Sequence, residues 1–315
     1  MQQMSPLRKT LGCALLAARV TLAPDLAQSD VHVVTTSPAL ADLSRQVGGS
    51  VIEVEALMRG PENPHNVVPT PSLVMKLRKA DLFVHLGLDA EPWVPSLVRS
   101  ARRERLLPGG SGNIDASRGI VLQQVPLPGG LSRAFGDIHV YGNTHYLLDP
   151  MNGIIVARTI AAALERADPE HRKLYSENLE DFEKRLSALT DRLIERMKPY
   201  RGTSVVTYHR TWPYFLRRFS LEKIAEVEPK PGIAPGPRHI AQVADQMTQK
   251  GVRVVIVETF SNQKIAERVA GRADARAVVL AQEVHALPGV DSYERLFEYN
   301  VDALIEALEQ PAAMP

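Results

Sequence analysis

The chain has 315 residues, 44% of them hydrophobic and 23% charged, with a formal net charge of +1. That length suits two domains of moderate size, and that composition is ordinary for a globular protein that folds in water. So balanced a charge gives no electrostatic pull toward nucleic acid or an anionic membrane surface, and no nucleic-acid partner is expected.

Residues 1–29 read as a signal peptide. Arg8 and Lys9 precede a short apolar run from Leu11 to Ala18, interrupted by Arg19, and Ala27-Gln28-Ser29 offers small residues before a cleavage at Asp30. Cleavage would take away Arg8, Lys9, Arg19 and Asp25 and leave the mature chain at −1. It would also remove Cys13, the single cysteine, which has too little apolar sequence ahead of it to serve as a lipid anchor. A thiol-free mature chain fits an oxidising compartment, and a periplasmic location is expected. No later stretch reaches the roughly 18 apolar residues of a membrane span.

After the leader, VHVVTTS (31–37) predicts a β-branched strand, followed by a helix over 38–47 and a second strand over 51–58. A Pro-rich loop, RGPENPHNVVP, leads to Thr70-Pro71, which caps a helix running to Lys79; DLFVHLG (81–87) is a third strand and 92–103 a helix. Residues 106–141 are Gly-rich and poor in pattern, with one strand expected near 120–125. Asp149-Pro150 opens a helix to Glu165. Then comes Asp168–Lys198, which reads as one long helix: Tyr175, Leu179, Phe182, Leu186, Leu189, Leu193 and Met197 draw an apolar stripe down a charged rod about 45 Å long. Asp168 is its expected cap.

The second half repeats the first in kind. Strands are expected at 204–208, 223–227, 253–258 and 277–281, with helices at 212–219, 239–250, 262–271 and 293–308. Alternating strands and helices argue for parallel sheets covered by helices. The expected organisation is therefore α/β: an N-terminal lobe over 30–167, a linking backbone helix over 168–199 and a C-terminal lobe over 200–315.

Parallel α/β sheets bind ligands in the loops beyond the carboxyl ends of their strands. His65 falls in the loop after the second strand, and His145 lies in GNTHYLLDP ahead of a helix. His209 directly follows SVVTY, and Asp291 sits in the loop after the last strand. Three imidazoles and a carboxylate make a tetrahedral N/O set suited to Zn²⁺. The residues alone leave a second reading open, scattered loop polars around a cleft for an organic ligand. Glu258, at a strand end, is either a group that orients a ligand histidine or an ordinary helix-cap or surface carboxylate. His139 stands in the Gly-rich region as a metal-capturing or merely exposed residue, and His285 as a neighbour of the site. Trp93 is read as lobe packing.

NPHNVVPTPS, NTHYLLDPMNGIIVARTIAAAL, VVTYHRTWPYFLRRFSLE and GVDSYERLFEYNVDAL together resemble the periplasmic metal-binding solute-binding proteins of bacterial ABC importers, the zinc/manganese class. The likeness runs from VHVVTTSPALADLSRQVGG to NVDALIEAL. It implies two α/β lobes joined by one rigid helix, with ligand roles for His65, His145, His209 and Asp291. It further implies Zn²⁺ as the transported ligand and a membrane ABC permease as partner, with a metallochaperone as a candidate loader of a monomeric carrier. Manganese-type members place a carboxylate where His209 stands, and a third imidazole favours zinc. The long His/Asp-rich loop of many zinc members is missing. An Mn²⁺-binding member is the alternative, followed by a siderophore or haem binder or a zinc hydrolase; an enzyme is not expected, because four protein ligands leave no open position.

Overall fold

The computed structural model describes residues 31–125, 141–230 and 232–310. The signal-peptide reading and His139 lie outside them. The first half builds a four-stranded parallel sheet from β1 (Val31–Thr35), β2 (Ile52–Ala56), β3 (Leu82–His85) and β4 (Asn113–Asp115), in the order β2-β1-β3-β4. The second half builds another from β5 (Ser204–Thr207), β6 (Glu222–Glu226), β7 (Val254–Glu258) and β8 (Arg276–Leu280), ordered β6-β5-β7-β8. The two orders are the same, so the likeness of the halves extends to topology. β7 is buried at every position, which is why VVIVE shows no alternation.

Helices α1 (Pro38–Gly48), α2 (Pro71–Lys79) and α3 (Val94–Ala101) belong to the first half. The second half carries α6 (Pro213–Arg218), α7 (Pro237–Lys250), α8 (Gln263–Arg272) and α9 (Tyr293–Glu309). The Ser-Pro, Thr-Pro and Asp-Pro pairs of the sequence act as start signals. Ser37 accepts from Leu40 N, Thr70 from Leu73 N and Asp149 from Met151 N, each with proline in the first turn.

Two local expectations are corrected. The fourth strand is Asn113–Asp115, not 120–125. Ile114 is buried there, and the ladder closes through Phe83 N to Gly112 O and Ala116 N to His85 O; Val121 and Val125 stay exposed and have no sheet to alternate against. The long helix begins later than Asp168. Helix α4 (Pro150–Ala167) ends there, a 3-10 turn spans Pro169–His171, and α5 runs Arg172–Met197, 26 residues or about 39 Å. Asp168 instead takes the Tyr175 hydroxyl at 2.6 Å and the His171 ring at 2.7 Å, and so pins the turn between the two helices.

The stripe on α5 is buried apart from half-buried Leu179, and the helix packs on α1, α4 and α9. A single apolar cluster runs from β1 and α1 through α4 and α5 to α9, so both halves share one core. Separate clusters sit on the far faces, around Phe83 and Trp93 in one half and Ile240 and Val255 in the other.

Candidate metal site

The strands of each sheet end together, Thr35 beside Ala56 and Val84, Thr207 beside Glu226 and Ile256. The site lies beyond those ends. Asn63 accepts from His65 N and starts a 3-10 turn, Pro64–Asn66, that presents His65. The Trp93 indole, packed in the core as expected, donates to Pro64 O at 2.8 Å and holds that turn from behind. His145 precedes another 3-10 turn, Tyr146–Leu148, and His209 stands two residues past β5.

The structure brings His65, His145 and His209 together, with ligand atoms all within 4.8 Å of one another. Ring centroids lie 5.8 Å apart for His65–His145 and 5.9 Å for His145–His209, and both pairs are nearly perpendicular. Nitrogens bound to one Zn²⁺ at about 2.0–2.1 Å stand about 3.4 Å apart in a tetrahedron, so the three rings could close on an ion with shifts of about an ångström.

Each ring uses Nδ1 to hold itself in place. His65 Nδ1 donates to Ala90 O at 2.8 Å. His145 Nδ1 faces Asn143 Oδ1 at 3.2 Å, and that amide is fixed in turn because its Nδ2 donates to Gln124 Oε1 and Arg210 O. His209 Nδ1 lies 2.6 Å from Glu228 Oε2. Nδ1 is thus engaged by a protein oxygen in each ring, and Nε2 is the nitrogen that could serve a metal ion. Burial works against charge on His209, yet the hydrogen bond to Glu228 and the fields of Glu258, Glu228 and Glu226 outweigh it and raise its pKa.

Asp291 does not join the three histidines. It is exposed, next to Ser292, which caps α9 by accepting from Arg295 N, and its charge acts on Arg295. The chain turns inward earlier: Glu283, three residues beyond β8, lines a cavity of about 40 Å³ beside His145, together with Glu62, Phe260 and Gln282. Glu283 accepts from Ala39 N at 2.7 Å and from Val284 N, and burial pushes its carboxyl up to about 7. The strand-end rule used for His209 points to Glu283 when applied to the residues immediately after the last strand. Glu258 takes neither expected role. It is fully buried and accepts from the Trp212 indole at 2.6 Å and Ser261 Oγ at 2.8 Å. A carboxylate that does touch a site histidine is Glu228, which meets His209 from a turn-rich loop that sequence reasoning passed over. His285, expected near the site, has left-handed backbone and donates its amide to Val290 O.

The halves are bonded across the site. Tyr214 OH donates to Asn143 O, the Arg218 guanidinium grips both Asp149 oxygens, and Gln282 Nε2 donates to Gly60 O. Gly60 has no room for a Cβ against the backbone of Val284, His285 and Ala286.

The sequence profile of the family described as "ZnuA: Zinc-uptake complex component A periplasmic" matches residues 33–307. The chain belongs to the ZnuA family. Its members are periplasmic metal-binding solute-binding proteins. The chain is 24% identical over 295 residues, 88% of each chain, to the "High-affinity zinc uptake system protein ZnuA" of Bacillus subtilis (strain 168). In fold it resembles the "Crystal structure of ZnuA", with TM-score 0.74, 23% identity and coverage of 88% of this chain and 98% of that one. It also resembles the Pseudomonas aeruginosa solute-binding protein FpvC in complex with Mn²⁺, with TM-score 0.72, 24% identity and coverage of 89% and 98%. ZnuA-fold proteins with two parallel four-stranded sheets and a long helix are thus the structural class of this chain.

Proposed function

We propose that the protein captures Zn²⁺ outside the cytoplasm through His65, His145 and His209 and delivers it, as a monomer, to the permease of an ABC importer. The observation that carries the reading is the convergence of three imidazoles whose Nδ1 atoms are all engaged by protein oxygens. Three neutral nitrogens suit the borderline Zn²⁺ better than Mn²⁺, which prefers oxygen. The fourth position of a tetrahedral ion falls to water or to a carboxylate from the neighbouring cavity. An open fourth position is also found in zinc hydrolases; family membership in a zinc-uptake component favours transport.

Because the halves share one core and are bonded across the site, release is expected through small loop rearrangements and not through a wide hinge. The test is elemental analysis of the purified protein with competitive Zn²⁺ and Mn²⁺ titrations. About one zinc per chain, preferred over manganese and lost in His65→Ala, is the expected result. Zinc in a thousandfold excess over its Kd should also stabilise the fold by about 4 kcal/mol. A chain that prefers manganese, or that binds zinc without His65, would overturn the reading.

A further inference from the structure

We infer that Glu228 is the positioning residue of this site: its carboxylate fixes the ring and tautomer of His209 and thereby sets how tightly the cargo ion is held. The inference rests on the metal-binding reading above. Three carboxylates act on His209, those of Glu258, Glu228 and Glu226. Two are committed elsewhere: Glu258 to Trp212 and Ser261, Glu226 to Lys223 and Arg210. Among the described residues Glu228 is the one whose oxygen meets the ring, at 2.6 Å.

The backbone makes that meeting obligatory. The ladder between β5 and β6 continues past both strands through Val227 N to Thr207 O and Glu228 N to Tyr208 O, at 2.9 Å each. Glu228 is therefore held in register beside the residue that precedes His209. Its side chain is 16% exposed and that of His209 7%, so water competes little for the hydrogen bond. A carboxylate that accepts from Nδ1 orients the imidazole and makes Nε2 a stronger donor, an effect typically worth 10–100-fold in metal affinity. His65 and His145 lean through Nδ1 on a neutral carbonyl and a neutral amide. Glu228 Oε2 also receives Gly232 N at 3.4 Å, so the same carboxylate ties a ligand ring to an exposed loop.

Zinc affinity of the unaltered chain and of Glu228→Ala, Glu228→Gln and Glu228→Asp is measured by competition with a chelating dye. Co²⁺ spectra and melting of the metal-free proteins are recorded alongside. Glu228→Ala should weaken zinc binding about 10–100-fold and shift the Co²⁺ visible bands. Glu228→Gln, which keeps an acceptor oxygen without charge, should fall between, and Glu228→Asp should recover part of the loss. An unaltered chain that takes up zinc beside a Glu228→Ala variant that binds within threefold of it, or Co²⁺ bands that do not move, overturns this inference alone. An unaltered chain that takes up no zinc overturns the metal-binding reading as well. Should the alanine variant fail to fold, Glu228→Gln decides by the same affinity and spectral criteria.

Discussion

The two halves of the molecule have the same strand order but support their histidines differently. The N-terminal half offers His65 from within a 3-10 turn and His145 from just ahead of another, and holds their Nδ1 atoms by uncharged oxygens of Ala90 and Asn143. The C-terminal half offers His209 from the end of a strand and holds it by the carboxylate of Glu228. Charge-assisted hydrogen bonds are shorter and about twice as strong as neutral ones, and 2.6 Å against 2.8 and 3.2 Å follows that rule. In the proposed site one half would thus bring its donors to an ion through loop geometry, and the other would add electrostatic grip.

The contrast breaks most completely if a donor is removed. Replacement of His65, His145 or His209 by alanine should each cost more than the roughly 100-fold upper figure for an outer partner, read as zinc lost on dialysis. Equal losses from both halves would mean that the ion weighs the three nitrogens alike and that the difference lies only in their support. Next in size is the Glu228→Ala loss already described. Asn143→Ala should be smaller, below about tenfold in zinc affinity, because a neutral partner polarises the ring less. An Asn143→Ala loss that equals or exceeds that of Glu228→Ala would erase the distinction between the halves.

Acid separates them as well. The folded pKa of His209 is raised, so protonation of this ring stabilises the metal-free protein in full below the usual imidazole value near 6.5. That contribution fades as pH rises through the raised value. Zinc needs the ring without that proton, so affinity falls on acidification, and it should begin to fall at a higher pH than ordinary imidazoles predict. Melting of the metal-free chain against Glu228→Gln checks the sign: the unaltered chain should gain its largest margin on the acid side.

Much of this was legible in the residues because periodic and local signals carried it. The stripe from Tyr175 to Met197 is buried apart from half-buried Leu179, and the Ser-Pro, Thr-Pro and Asp-Pro pairs start helices where expected. His65, His145 and His209 were readable from their places at strand ends and in helix-leading loops. Glu228 was not, because its position depends on two strands that go on pairing past their regular ends. Asp291 misled because a place in the loop after the last strand was taken for a place at the site; between buried Val290 and buried Tyr293 its side chain is left to solvent. The run 120–125 looked like a strand by composition, but a strand needs a neighbour, and the edge of β3 was already taken by Asn113–Asp115.

The smallest expected effect tests the seam that joins the halves. Tyr214 OH donates to Asn143 O and receives Gln123 N at 3.1 Å, so one phenol from the C-terminal half steadies the segment that carries His145. Tyr214→Phe keeps the buried ring and removes only the hydroxyl, which should cost about 0.5–1.5 kcal/mol in stability. Zinc affinity should change by less than threefold, because Asn143 still holds His145 through its own side chain. If affinity instead falls as far as in Asn143→Ala, the support of His145 comes from across the seam. The N-terminal ligands would then depend on the other half as much as His209 does on Glu228, and the two halves would hold the ion by one shared network.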